Sequence, residues 1–148
     1  MSRADDLRAL LARVETGDVG TDLDEHLWVA LVPDDPEYLM WMARRRSFWG
    51  PPPILGSIDA ARALVRRLLP DWWASSGLCA LTGHASIGPD YNGPAGDRLR
   101  REWPEERYHE GFHADLKPGD GPHRECLALI AALLSALIAQ EVEHGDRR

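Results

Sequence analysis

Apolar residues return every three or four positions in the first part of the chain and every second position in its middle. Leu7, Leu10, Leu11 and Val14 share one helical face, which predicts a helix over about residues 4–15, capped by Ser2 or a nearby acidic residue. Gly17 to Gly20 breaks it. Leu23, Leu27, Ala30 and Leu31 then predict a second helix over about 22–32. A third, strongly amphipathic pattern follows Ser57: Ile58, Ala61, Leu64, Val65 and Leu68 form one stripe and Arg62 and Arg66 the opposite one, until Pro70 ends it.

After Asp71 the period becomes two. Trp72 to Ala74 reads as a strand, Ser75-Ser76-Gly77 as a turn, and Leu78 to Ile87 as a second strand. In that second strand Cys79, Leu81, Ala85 and Ile87 point inward, while Thr82, His84 and Ser86 point out. Phe112 to Lys117 repeats the alternation, with Phe112, Ala114 and Leu116 inward and His113, Asp115 and Lys117 on its polar side. A last helix is expected from about Pro122 to Glu143, apolar nearly all round through CLALIAALLSALIA. That run is 14 residues, short of the roughly 20 that cross a bilayer, and therefore reads as a core helix.

These elements predict an α+β fold, with a small, mainly antiparallel sheet of about three strands packed by helices. One domain over residues 1–148 is expected. Residues 1–48 form an acidic helical part plus an irregular segment, and 49–143 form the core. Residues 33–56 are the least regular, since Pro33, Pro36 and Pro51-Pro52-Pro53 forbid long helices. Trp41, Trp49 and Arg44 to Arg46 lie there, either as a loop pinned by aromatic residues or as an exposed partner-binding arm.

Composition narrows the class. Hydrophobic content of 44% with 28% charged residues is that of a soluble globular protein. The net charge of −7 is carried by residues 1–40, which hold ten acidic and three basic side chains, and the remainder balances. Such a distribution argues against nucleic-acid binding, which needs a cationic surface. Cys79 and Cys126 have no metal-ligand spacing and read as small buried residues in a reducing cytosol. No signal peptide is expected from the acidic, amphipathic N-terminus.

Two stretches carry candidate chemistry. Residues 109–113, HEGFH, match the zinc-peptidase pattern His-Glu-x-x-His, with His109 and His113 as ligands and Glu110 as base. That chemistry needs both imidazoles on one helical face. Gly111 instead sits where a short helix begun at Pro104 should end, which would separate them. Thr82, His84, His113 and Asp115 would form an acid–base group only if their strands are neighbours.

Residues 88–94, GPDYNGP, read first as a stop and restart between a strand and a short helix. They also offer a ligand site in which Asp90, Tyr91 and Asn92 project from a stiff loop toward Arg98 and Arg101, fit for an anionic, nucleotide-like molecule. Here the chain resembles a family of small proteins from phages and prophages of proteobacteria. The resemblance rests on PPPILGSIDAARALV, LLPDWW, IGPDYNGPAGDRLRRE, FHADLKPGDGPHREC and LALIAALLSALIA, over about residues 49–140. It implies a phage α-β-α sandwich-like domain and brings no catalytic residues with it.

The combined expectation is a phage or prophage accessory protein of the bacterial host cytosol. It is non-enzymatic, needs no cofactor, and acts by binding a host or phage protein or by self-association, with neither nucleic acid nor membrane as partner. The alternatives are a small-molecule sequestering protein using residues 88–101 and a metal-dependent hydrolase at His109, Glu110 and His113.

Overall fold

A computed structural model of the chain describes residues 2–16, 21–44, 51–116 and 123–145. The elements run α1 (Arg3–Glu15), α2 (Thr21–Leu31), α3 (Pro36–Ala43), α4 (Ile58–Leu68), β1 (Trp72–Leu78), β2 (Gly83–Pro89), α5 (Gly96–Glu102), α6 (Glu105–Tyr108), β3 (Phe112–Leu116) and α7 (Arg124–Gly145). The three strands form one antiparallel sheet in the order β1-β2-β3. The α+β class and the helix-packed three-stranded sheet are as the sequence predicts.

Helix starts follow local chemistry. Ser2 and Asp5 form a capping box on α1: the Ser2 hydroxyl accepts from the Asp5 N–H, and the Asp5 carboxylate accepts from the Ser2 N–H. Asp35 caps α3 by accepting from the N–H groups of Glu37 and Tyr38, with Pro36 at the first helical position. The stretch between Pro33 and Ala43 is therefore helical in its second half. Ser57 caps α4 through the Ala60 N–H.

Buried residues from α1 through α7 form a single cluster. Its axis is α7, whose residues 126–134 are all buried and which packs on α1, α4 and all three strands. By length and composition alone the 20-residue span Arg124–Glu143 is apolar enough to cross a membrane, but 61% of its 18-residue apolar window is buried within the protein. The proline strap is tied to the same core. Trp28 Nε1 donates to the Pro52 carbonyl at 2.6 Å, and the Asp24 carboxylate accepts from the N–H groups of Ile54 and Leu55 at 2.9 and 3.0 Å.

The sheet differs from expectation at one hairpin. β1 runs straight through Ser75-Ser76-Gly77, and the reversal falls at Cys79–Thr82, where the Cys79 N–H donates to the Thr82 carbonyl at 2.9 Å. Two serines and a glycine resemble a turn in sequence. In the sheet the His84 ring lies over Gly77, where a Cβ would come within 2.5 Å of its Nε2 unless the ring turned away. The shift takes Leu81 and Cys79 out of the core: Leu81 is 73% exposed and Cys79 is exposed, against the buried positions expected of them. Cys126, Ala85 and Ile87 are buried as expected.

Trp41 also departs from the picture of an exposed arm. It is half-buried and stacks on Tyr38, which stacks in turn on Trp28. Trp49, Arg45, Arg46, Lys117 and Pro122 lie outside the described residues.

Candidate functional site: an open sheet face and its hairpin tip

The strand register sorts the sheet's side chains onto two faces. Ala85, Ile87 and Leu116 point toward the helices and are buried. The opposite face presents three cross-strand rows: Trp73 beside Gly88, then Ser75, Ser86 and His113, then Gly77, His84 and Asp115. Ser75, His84, His113 and Asp115 are exposed, and Trp73 and Ser86 half-buried. No lysine or arginine stands in these rows.

Glycines shape this surface. The Trp73 ring lies across β2, since a Cβ on Gly88 would sit 2.6 Å from its Cζ2 and one on Gly111 3.1 Å from the same atom. The His84 ring leans over Gly77 toward β1. Ser86 Oγ and His113 Nδ1 share a hydrogen bond of 2.6 Å, with the imidazole tautomer deciding which donates. The strand adjacency required for the proposed acid–base group is thus present for His84, His113 and Asp115. Thr82 belongs instead to the hairpin turn. Ser86, not Thr82, meets His113, and no side-chain hydrogen bond among the described residues joins His84 to Asp115.

At one end of the sheet the β1–β2 turn places four apolar residues in water. Leu78 is 50% and Leu81 73% exposed, with Cys79 and Ala80 exposed between them. The turn is closed by the Cys79–Thr82 main-chain bond and by the Thr82 N–H donating to Cys79 Sγ at 3.3 Å. Hydrogen bonds from the Thr82 main chain and side chain and from the Leu81 main chain hold the Cys79 thiol below its ordinary pKa.

The 88–101 loop is built differently from its expected form. Tyr91 does not project: it is 8% exposed, and its hydroxyl donates to the Trp103 carbonyl at 2.7 Å. Burial, with Glu105 nearby, pushes its phenol up to about 12. Asp90 accepts from the Asn92 N–H at 3.2 Å, an Asx turn that reverses the chain. Arg98 binds Asp71 at 2.9 Å and Glu102 at 3.0 Å. Asp90, Asn92 and Arg101 remain exposed, while Tyr91 is buried.

HEGFH straddles a junction. His109 is the C-cap of the four-residue helix α6, Gly111 has φ +75°, and His113 lies on β3. His109 Nδ1 approaches the Glu105 carbonyl at 3.1 Å, and Glu110 points into solvent. Among the described residues, no three His, Cys, Asp or Glu side chains are grouped to hold a metal.

Alternation places Ser86 on the outward face and Trp73 in a strand, but not the exposed hairpin tip; the further sequence signal for this surface is the pairing of small residues, Gly77 and Gly88, with bulky neighbours across the sheet. Fold and surface define a small α+β protein with a one-sided sheet, a polar open face and an apolar tip. No family model, curated protein or solved structure matches the chain.

Proposed function

We propose that this protein is a non-enzymatic protein-binding module, of phage or prophage origin and acting in the bacterial cytosol, that grips its partner with the β1–β2 hairpin tip. One observation carries the reading: four consecutive apolar residues, Leu78 to Leu81, are held in water by a hydrogen-bonded turn. Apolar side chains on a rigid turn lose little entropy on binding, the property of interface anchors. The adjoining sheet face supplies polar groups for a rim, and the absence of lysine and arginine from its described rows favours a protein over a nucleic acid.

The test is co-purification from the infected host or lysogen with wild type and a Leu78→Ser, Leu81→Ser double variant. A partner retained at fixed stoichiometry by wild type and lost by the folded variant supports the reading. Equal retention by both removes the tip from it.

A second reading, sequestration of a small planar ligand, is favoured by the Trp73 ring laid across Gly88 and Gly111 beside Ser75 and Ser86. It moves the ligand from the 88–101 loop, where Tyr91 is committed to the core, to the open face.

A further inference from the structure

Among the described residues β3 is an edge strand, and none of them pairs with its outer edge. The sheet order leaves it with one neighbour, β2, and no main-chain hydrogen bond of residues 113–116 reaches beyond that neighbour among the described residues. Natural edge strands are commonly blunted by proline, lysine, a bulge or a covering element. His113 to Leu116 contain no proline or lysine and pair with β2 without a bulge.

This edge forms one wall of a groove of about 420 Å3. Ala131 and Ser135 of α7 lie beneath it, and Leu11 and Glu15 of α1 stand on its far side. An unpaired strand edge facing a helix across a groove is the arrangement by which extended peptides add a strand to a sheet.

From this geometry we infer that the β3 edge takes up an extended segment of a partner protein as a fourth strand, and that the segment carries a basic side chain next to an apolar one. The alternation of β3 sets that code. An added strand shares the pleat, so side chains on its helix-facing side meet a wall that includes the apolar Leu11 and Ala131. Those on its other side stand beside Asp115. Asp115 and Glu15 stand with His113 in this lining, and no lysine or arginine is among the described residues that form it, so a lysine or arginine completes a cross-strand pair of opposite charge. The register joins the groove to the hairpin, because Leu116 pairs with Gly83, next to the Cys79–Thr82 turn.

This inference rests on the protein-binding reading but uses a different surface from the tip, so the two fail separately. The test is an amide-resolved NMR titration of the full chain with a five-residue peptide alternating valine and arginine. Its controls are the same peptide N-methylated on the main chain and a valine–glutamate version. Saturable shifts confined to residues 11–15 and 112–116, absent with both controls and about fivefold weaker in affinity for Asp115→Asn, are expected.

Equal binding of the N-methylated peptide would overturn strand addition, as would shifts centred on Leu78 to Leu81 or no saturable shift at all. Concentration-dependent broadening of 112–116 without peptide would overturn it in favour of pairing between two copies. If the peptide fails while a partner still co-purifies through the tip, the groove is wrong and the protein-binding reading stands.

Discussion

The hydroxyl of Tyr91 donates to the main-chain carbonyl of Trp103 at 2.7 Å, inside the core. That one bond joins the loop after β2 to the end of α5. It places Tyr91 against an aromatic cluster in which Trp103 meets Trp72 and Tyr108 edge-on at 4.9 and 5.0 Å. The residue most suggestive of a ligand site in GPDYNGP is therefore a structural strut.

Tyr91→Phe leaves the packing and removes the donor from a buried carbonyl, and should cost about 1–3 kcal/mol in urea unfolding at neutral pH. The pH dependence has a definite sign. The folded pKa of about 12 lies above the unfolded value of 10.0, so the associated stability is complete below pH 10 and is lost as pH rises toward 12. Tyr91→Phe should lack that component of the alkaline loss. Equal slopes between pH 10 and 12 in both proteins would contradict the burial of the Tyr91 phenol.

Gly111 sets the entry to β3. Its φ of +75° belongs to the left-handed region, and a Cβ there would meet the Ile87 carbonyl oxygen at 2.2 Å. Gly111→Ala should destabilise by about 1–3 kcal/mol from the backbone conformation, and further from displacement of the strand. Gly56→Ala is the matched control, since the nearest atoms to its Cβ would be 3.6 Å away, and its unfolding free energy should change by no more than about 0.5 kcal/mol.

The two cysteines should differ in reactivity. Cys79 is exposed with a lowered pKa, while burial raises that of Cys126. Iodoacetamide at neutral pH should therefore modify Cys79 first, as read by peptide mass mapping. Thr82→Val removes the side-chain hydrogen bond and should shift the pH–rate profile of Cys79 upward, leaving the main-chain contribution in place. Equal rates at both thiols would contradict the turn geometry.

Much of the fold was legible because helical stripes and strand alternation are direct consequences of burial. The faces of α1, α2, α4 and β3 follow from Leu7, Leu27, Leu64 and Ala114 and their neighbours. The β1–β2 hairpin was not, because Ser75-Ser76-Gly77 carries turn-like composition while the real turn, Cys79 to Thr82, is apolar. Periodicity assigns apolar residues inward, and here it hid the surface that we assign to binding. The site residues fared similarly. Ser86 and His113 meet only through a register that depends on where that hairpin turns, and the fate of Tyr91 depends on Trp103, 12 positions away.

The central claim is that a rigid apolar tip holds a protein partner, and the most direct measurement is native mass spectrometry of the gently purified complex. Wild type should carry one discrete partner mass, and Leu78→Ser, Leu81→Ser protein with an unchanged unfolding curve should appear without it. A partner retained in full by the folded double variant, or a wild-type spectrum with the chain bare in every preparation, would contradict the account.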